Sequence, residues 1–206
     1  TEDFVYGSAF TPKDLGSAGS FQSNYYRGGG AIWLEVEDTL TNNGVVSANG
    51  WSNASGGSVY VKTKNLEGEG SFNADGGGLT SNSVFYYPGG GGRVAVHYDN
   101  SSFTGEVEAN AGCGHVGYPD LDCGEDGTAG MFDEKNNILY VDKSWEFTSY
   151  ESPFDINEMQ VSDMAKIKFQ EGAEVKIGKL TLSDFSQMIL TGEEDLYINN
   201  FEMHDN

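Results

Sequence analysis

The densest set of reactive side chains in this sequence is the run Tyr118-Pro119-Asp120-Leu121-Asp122-Cys123-Gly124-Glu125-Asp126-Gly127. Asp120, Asp122, Glu125 and Asp126 offer hard carboxylate oxygens at nearly alternate places, around a glycine that permits a sharp turn, which is the ligand type and spacing that calcium needs. Counted from Asp120, Gly124 stands at the fifth place and no Glu at the twelfth, so the loop is not an EF-hand. Two readings stand side by side, a calcium site and a solvated acidic loop, and chelation followed by a fall in thermal stability supports the first. Cys113 and Cys123 lie ten residues apart in the same loop, with no His or Cys pair at metal spacing nearby. A local disulfide is expected, and with it an oxidising compartment.

Aromatic rings are the second resource. Trp33 and Tyr60 occupy equivalent outward places on neighbouring repeats, beside Ala95, while Tyr25, Tyr26, Trp51, Phe85, Tyr86, Tyr87 and Tyr118 fall on or near one variable edge. Rings with a polar handle suit sugar faces, so Trp33, Tyr60, Tyr86, Tyr87 and Tyr118 are candidates for binding a polysaccharide. The competing reading is that residues 1–27 or a flanking loop packs over them. Arg27 and Arg93 each flank a glycine run; Arg93 is a candidate clamp for an acidic sugar, or else pairs with one of many neighbouring acids. His97, expected to face outward, His115 and His204 have no Ser, Cys or metal-ligand partner at meaningful spacing. A polysaccharide lyase or hydrolase would use clustered carboxylates, but acids are so common here that no pair stands out, and no catalytic residue is assigned. Asn53-Ala54-Ser55 and Asn100-Ser101-Ser102 are glycosylation sequons at Asn53 and Asn100, a pattern also common by chance.

What must position these groups is a winding backbone. Written under one another, Ile138–Glu158, Met159–Lys179 and Leu180–Asn200 repeat at 21 residues. Ile138, Met159, Leu180 and Phe201 share a column; so do Tyr140, Val161, Leu182 and Met203; then Met164 and Phe185, Ile167 and Met188, Phe169 and Leu190, Phe154, Val175 and Leu196, and Ile156, Ile177 and Ile198. Within each copy apolar and polar residues alternate at period two, a strand signal, while the columns recur at a period far too long for a helix. Such self-similarity predicts a β-solenoid, one coil per copy. A polar column, Asp142, Asp163, Asp184 and Asp205, would stack like charges about 5 Å apart. Either each Asp closes a turn through its own backbone or paired carboxylates hold a cation.

The first half repeats a different unit. Gly28-Gly29-Gly30, Gly56-Gly57 and Gly89–Gly92 each lead into an alternating strand, followed by GVVSANG, GSFNADG or GEVEANA. Leu40, Leu66 and Phe103 anchor the links, and all variation in length follows the Ala-Asn-Gly-type ending, so loops sprout from one edge, where such folds carry binding. Residues 1–27 have little period and are expected to cap the first coil. The predicted architecture is one all-β domain: a cap over 1–27, then a single right-handed parallel β-helix over 28–206. Its irregular glycine-rich coils span 28–137 and its regular 21-residue coils 138–206, seven or eight in all.

A net charge of −21 argues against nucleic acid and anionic membranes as partners. No apolar run approaches membrane-spanning length. No leader stands at Thr1 and Asn206 falls a few residues into a new coil, so the expectation is a piece of a longer chain with flanking domains, or one whose signal has been removed.

The blocks YGSAFTPKDLGSAGS, GGGAIWLEVEDTL, GGSVYVKTKNLEGEGSFNADGG and GGGGRVAVHYDNSSFTGEVEANAG, in that order across Tyr6–Val141, resemble the glycine-rich repeat region of very large secreted or surface-anchored proteins. The resemblance implies a right-handed parallel β-helix in an extracellular adhesive or scaffolding protein, and it supplies no catalytic set. The short glycine stretch at Gly127–Gly130, the cysteine loop and the acidity depart from that pattern. The expectation is an extracellular structural or adhesive domain, a spacer or fibre subunit at the cell surface that stacks end to end through Thr1–Phe10 and the last coil. A carbohydrate-binding module and a polysaccharide-degrading enzyme are the alternatives. Calcium is the one cofactor considered.

Overall fold

The computed structural model describes residues 7–19, 27–78, 88–114 and 123–204, and these are all-β, with strands that pair mostly in parallel. In chain order the strands are β1 (Ala31–Thr41), β2 (Val45–Ser47), β3 (Ser58–Glu67), β4 (Ser71–Asn73), β5 (Arg93–Ser101), β6 (Glu106–Glu108) and β7 (Thr128–Asp133). They continue with β8 (Ile138–Val141), β9 (Ser144–Phe147), β10 (Phe154–Val161), β11 (Lys166–Phe169), β12 (Glu174–Ser183), β13 (Gln187–Leu190) and β14 (Asp195–His204). The main ladder runs β1-β3-β5-β7-β8-β10-β12-β14; β2-β4-β6 and β9-β11-β13 form two shorter stacks beside it.

In the glycine-rich half the repeat units stack in register. Ile32, Val59, Val94 and Ala129 share one inward column and Leu34, Val61, Val96 and Met131 the next. Val46, Phe72 and Val107 face them from the short stack, and Val59, Val61, Leu66, Phe72, Val94 and Val96 are fully buried. The residues just before β1, β3, β5 and β7 are Gly30, Gly57, Gly92 and Gly127. There each coil's backbone lies against the next: Ser58, Arg93 and Thr128 donate N–H to the carbonyls of Gly30, Gly57 and Gly92 at 3.0, 2.8 and 3.0 Å. Gly57, Gly92 and Gly127 themselves donate to the carbonyls of Ala48, Ala74 and Ala109. The Ala-Asn-Gly-type endings thus tie one stack to the other. Their polar residues form a ladder, in which Asn49 Nδ2 donates to Asp75 Oδ2 at 3.0 Å and the Asn110 N–H donates to Asp75 Oδ1 at 2.9 Å.

The two halves meet at a reversal. β7 and β8 pair antiparallel around residues 134–137, where Asn137 adopts a left-handed φ of 56° and the Asn136 N–H donates to Asp133 Oδ1. This antiparallel pair departs from the uninterrupted parallel winding expected over 28–206. Beyond it β10, β12 and β14 stack at the expected 21-residue step, as Met159, Leu180 and Phe201 show. The first of these copies is out of step: Leu139 pairs with Met159 and Val141 with Val161, whereas Ser144 pairs with Lys166. The inward residues are therefore Leu139 and Val141, both fully buried, and the expected placing of Ile138 and Tyr140 in those columns is corrected.

The cause is a shorter turn. Two residues, Asp142 and Lys143, join β8 to β9, while four join β10 to β11 and three join β12 to β13. The longer links hold type I′ turns, Ser162-Asp163-Met164-Ala165 and Ser183-Asp184-Phe185-Ser186. Their central φ values are 53° and 59° in both, and the last N–H donates to the first carbonyl at 3.0 Å. Met164 and Phe185 form the expected column, but on the outside, 66% and 68% exposed. The shift also breaks up the aspartate ladder: Ser162 Oγ donates to Asp142 at 3.0 Å, and Lys143 pairs with Asp163 at 3.1 Å. Asp163 and Asp184 stand at the first central place of these turns, but the closing bonds run between the flanking residues, and the two carboxylates engage Lys143 and Ser183 instead of their own backbone.

Residues 7–19 do more than cap the first coil. Phe10 packs on Trp145 and Phe154, with ring centroids 4.9 and 5.0 Å away, and on Phe132 and Phe147 at 6.1 Å each. Tyr150 donates its hydroxyl to the Gly7 carbonyl and Ser8 donates to Glu151. Farther along, Ser58 Oγ donates to the Asp14 carbonyl at 2.7 Å and the Gly16 N–H to the Gly29 carbonyl at 2.9 Å. The segment is a strap laid across the coils, from the regular half back to the first glycine repeat. Phe10 is thereby engaged within its own chain. The buried apolar residues form two clusters on either side of the reversal, with Ala9 of the strap in the second. Among the described residues no helix is long and apolar enough to cross a membrane.

Candidate functional site

The strands that flank the reversal leave a cleft of about 420 Å³ between the two halves. Arg93 and Thr128 open β5 and β7 and pair with each other, and Thr128 also pairs with Ser144, the first residue of β9. Trp145 and Glu146 follow on β9, Lys168 stands opposite Glu146 on β11, and Glu125 and Asp126 come from the segment that leads into β7. Glycines 90–92, 124 and 127 supply bare backbone to the wall. Beside it, the outward column Trp33, Tyr60, Ala95, Gly130 tapers to nothing at β7. The Trp145 ring lies in that gap, so that a Cβ on Gly130 would come within 2.7 Å of it.

Most polar groups of the cleft are engaged. Ser144 Oγ donates to the Gly127 carbonyl at 2.6 Å, Gln170 Nε2 donates to Glu146 at 2.8 Å, and the Ala111 N–H donates to Asp126 at 2.7 Å. Lys168 Nζ lies 3.7 Å from Glu125. Thr128 Oγ1 and Trp145 Nε1 are buried with no hydrogen-bond partner, on residues 5% and 1% exposed. An unmade hydrogen bond of this kind costs about 1–3 kcal/mol, so the fold tolerates it where something else supplies the partner. The cleft walls thus carry two cations and three carboxylates, while the Trp145 N–H and the Thr128 hydroxyl lie out of reach of solvent.

The expected site residues fall out unevenly. Arg93, Glu125 and Asp126, assigned from sequence to two different sites, line this one cleft. Tyr86, Tyr87, Tyr118, Asp120 and Asp122, and likewise Tyr25, Tyr26, Phe85 and His115, lie outside the described residues. Among the described residues no group of three His, Cys, Asp or Glu side chains could hold a metal ion. Trp33 is half exposed and stacks on Tyr60 at 4.0 Å, but Tyr60 is 5% exposed. Its place on a glycan-binding row is therefore corrected: the ring is covered by Trp33, and burial is the chief cause that raises the pKa of its hydroxyl. His97, expected to be outward, points to the outer face yet is buried, since its Nε2 lies 2.8 Å from the Phe10 carbonyl of the strap and its Nδ1 3.2 Å from Glu134.

Asn53 is 8% exposed, which leaves no room for a glycan in the folded chain; Asn100 is exposed and donates to Asn65 Oδ1 at 3.2 Å. Cys113 and Cys123 form a disulfide, with Cα atoms 4.1 Å apart. Thr128, Trp145, Glu146 and Lys168 were missed from sequence. The signal lay in the outward column Glu146 and Lys168, hidden by the shift in step at β8–β9. Comparison with protein-family models, with curated proteins and with solved structures returns no match.

Proposed function

We propose that this chain is an extracellular structural and adhesive domain, a right-handed parallel β-helix serving as a stiff spacer or fibre subunit. The observation that carries the reading is the axial stacking of β10, β12 and β14 at a constant step, matched by β1, β3, β5 and β7 in the other half. Parallel strands joined within one sheet need crossovers, and these are right-handed in nearly all proteins. A stack held by backbone ladders and inward columns along its whole length resists bending, as a spacer must. The Cys113–Cys123 disulfide and the order of the glycine-rich blocks favour a secreted setting.

Among the described residues β14 pairs with β12 alone, and Leu190, Tyr197, Phe201 and Met203 of β13–β14 are 54%, 62%, 45% and 64% exposed, an edge that a further coil of this chain or a second copy would cover. An open strand edge flanked by apolar side chains recruits another strand. Small-angle scattering and sedimentation at several concentrations test both parts. An elongated particle supports the spacer, and a compact one refutes it. Oligomers that grow with concentration, and vanish when Phe201 and Met203 are both changed to Lys, support stacking; monomers throughout refute stacking while leaving the spacer intact.

A further inference from the structure

Two Asn-Gly pairs stand in the glycine-rich half, Asn43-Gly44 and Asn49-Gly50, and the fold holds them differently. Glycine after asparagine leaves the next backbone nitrogen open to the side-chain amide, because no Cβ shields it. We propose that Asn43 is a site of spontaneous covalent modification, converted to aspartate and isoaspartate in the folded chain, while Asn49 is protected. The inference is independent of the structural role proposed above, since it needs only the fold around residues 42–50.

The step balances with water as its sole co-reactant. The Gly44 nitrogen attacks Asn43 Cγ; the N–Cγ bond forms, the Cγ–Nδ2 bond breaks, and the Gly44 amide proton leaves with Nδ2 as ammonia. Water then opens the resulting succinimide at either carbonyl, which gives aspartate at position 43 or, with one more carbon in the main chain, isoaspartate.

Asn43 lies exposed in the link between β1 and β2. The Glu69 N–H donates to Asn43 Oδ1 at 3.2 Å, on the oxygen where negative charge collects as Cγ becomes tetrahedral. Among the described residues the departing Nδ2 has no partner, and the attacking Gly44 N–H meets the Asn42 side chain, Oδ1 at 3.1 Å, and no backbone acceptor. Gly70, at the same place one coil on, instead donates its N–H to the Asn42 carbonyl at 2.8 Å. At the second pair every group that the reaction needs is clasped by Asp75. Asn49 Nδ2 donates to Asp75 Oδ2 at 3.0 Å, Asn49 Oδ1 accepts the Asp75 N–H at 2.8 Å, and the Gly50 N–H donates to the Asp75 carbonyl at 2.7 Å. Attack there must first break that clasp. Conversion at position 43 adds a negative charge beside Glu69. Its isoaspartyl form also displaces the Gly44 carbonyl, which accepts the Ser71 N–H at 2.8 Å, and so loosens β2 on β4.

The test holds the disulfide-bonded chain in heavy-oxygen water at neutral and at mildly alkaline pH, below its unfolding temperature, and follows label uptake at each asparagine by peptide mass mapping. Position 43 should convert about tenfold faster than position 49, roughly the cost of breaking one or two further hydrogen bonds, and faster still at the higher pH. In denaturant the two rates should converge, since both pairs are then simply Asn-Gly. Gly44→Ala is the variant: a Cβ there meets only Asn42 Oδ1, at 4.0 Å, so the fold accepts it, and conversion at position 43 should nearly stop. No conversion at position 43 over the time in which the denatured chain converts overturns the proposal, and so do equal rates at the two positions in the folded chain. A difference that persists in denaturant overturns it as well, because the fold is then not its cause. Conversion undiminished by Gly44→Ala overturns the assigned attack through the residue 44 nitrogen.

Discussion

Replacing Gly92 by Ala should unfold this protein far more readily than replacing Gly30, although the two glycines occupy the same place in their repeats, before β5 and β1. A Cβ on residue 92 would fall inside the van der Waals shell of the Gly57 carbonyl oxygen, 2.6 Å from Gly56 C and 2.8 Å from Gly57 N, where real Cβ contacts are essentially never under 3.0 Å. All of these neighbours are backbone, so none can swing away. Relief requires prising the coils apart at the Arg93 N–H to Gly57 O bond (2.8 Å) and the Gly92 N–H to Ala74 O bond (2.6 Å). Overpacking costs about 1–3 kcal/mol and each weakened backbone bond about 1 kcal/mol, for a loss of about 3–5 kcal/mol. At this chain length about 1 kcal/mol moves Tm by about 2–4 °C, so Gly92→Ala should lower Tm by about 6–20 °C. A Cβ on Gly30 meets nothing within 4 Å among the described residues, and Gly30→Ala should change stability by no more than about 0.5 kcal/mol. Scanning calorimetry of the two variants side by side decides it. Equal losses, or none in either, would refute the claim that close backbone approach is why glycine stands in this column.

Three further outcomes are expected. Burial holds the His97 pKa below its ordinary 6.5, against the opposing pull of the Phe10 carbonyl and Glu134 and with Lys62 also disfavouring the charge. The ring is then neutral in the fold, and its contribution is complete above pH 6.5 and lost as pH falls below it. Tm against pH for His97→Gln should run flatter than for the native chain on the acid side of that value. Met164→Gly and Phe185→Gly should each raise stability by about 1 kcal/mol, since both side chains are exposed and sit at φ 59°, where a Cβ costs energy; a drop in Tm by calorimetry would show that the rings stabilise the turns instead. Reducing Cys113–Cys123, ten residues apart, should cost about 2–3 kcal/mol by the chain-entropy argument, read as a lower denaturant midpoint with reductant.

Much of the backbone was legible because its signal is periodic. The 21-residue step from Met159 to Leu180 to Phe201 was readable since every inward residue recurs, and the paired units GVVSANG, GSFNADG and GEVEANA mark β2, β4 and β6. The copy starting at Ile138 misled because two residues are missing from its turn, and a period assumed constant carried the error through Tyr140 and Asp142. The reversal between β7 and β8 leaves only a short polar run, Glu134–Asn137, which in sequence looks like any other loop. The cleft was hardest to see. Its walls come from β5, β7, β9 and β11, distant in sequence, and Trp145 looked like one more core residue until its N–H proved to have no partner.

The strap ties these halves into one cooperative unit, and that can be measured. Residues 7–10 hold the regular half through Phe10, Ala9 and Gly7, while residues 14–17 hold the glycine-rich half at Ser58, Gly29 and Ser55. Phe10→Ala removes a half-buried ring that meets four others, a loss of about 2–4 kcal/mol from burial and ring packing together. A contact serving only its own neighbourhood would loosen β8 to β10 alone. A strap should do more: freed at one end, it ceases to press on the other, and hydrogen exchange should speed up at Gly16 and Gly29 as well as along Leu139–Val161. Lys13→Ala, on an exposed side chain of the same segment, is the control and should leave both regions protected. If exchange in Phe10→Ala rises only beside residue 10, the two halves are stable independently and the segment is a local plug. If it rises at both, the N-terminal strap couples coils that are remote along the stack, and the cleft between the halves keeps its shape because the strap is in place.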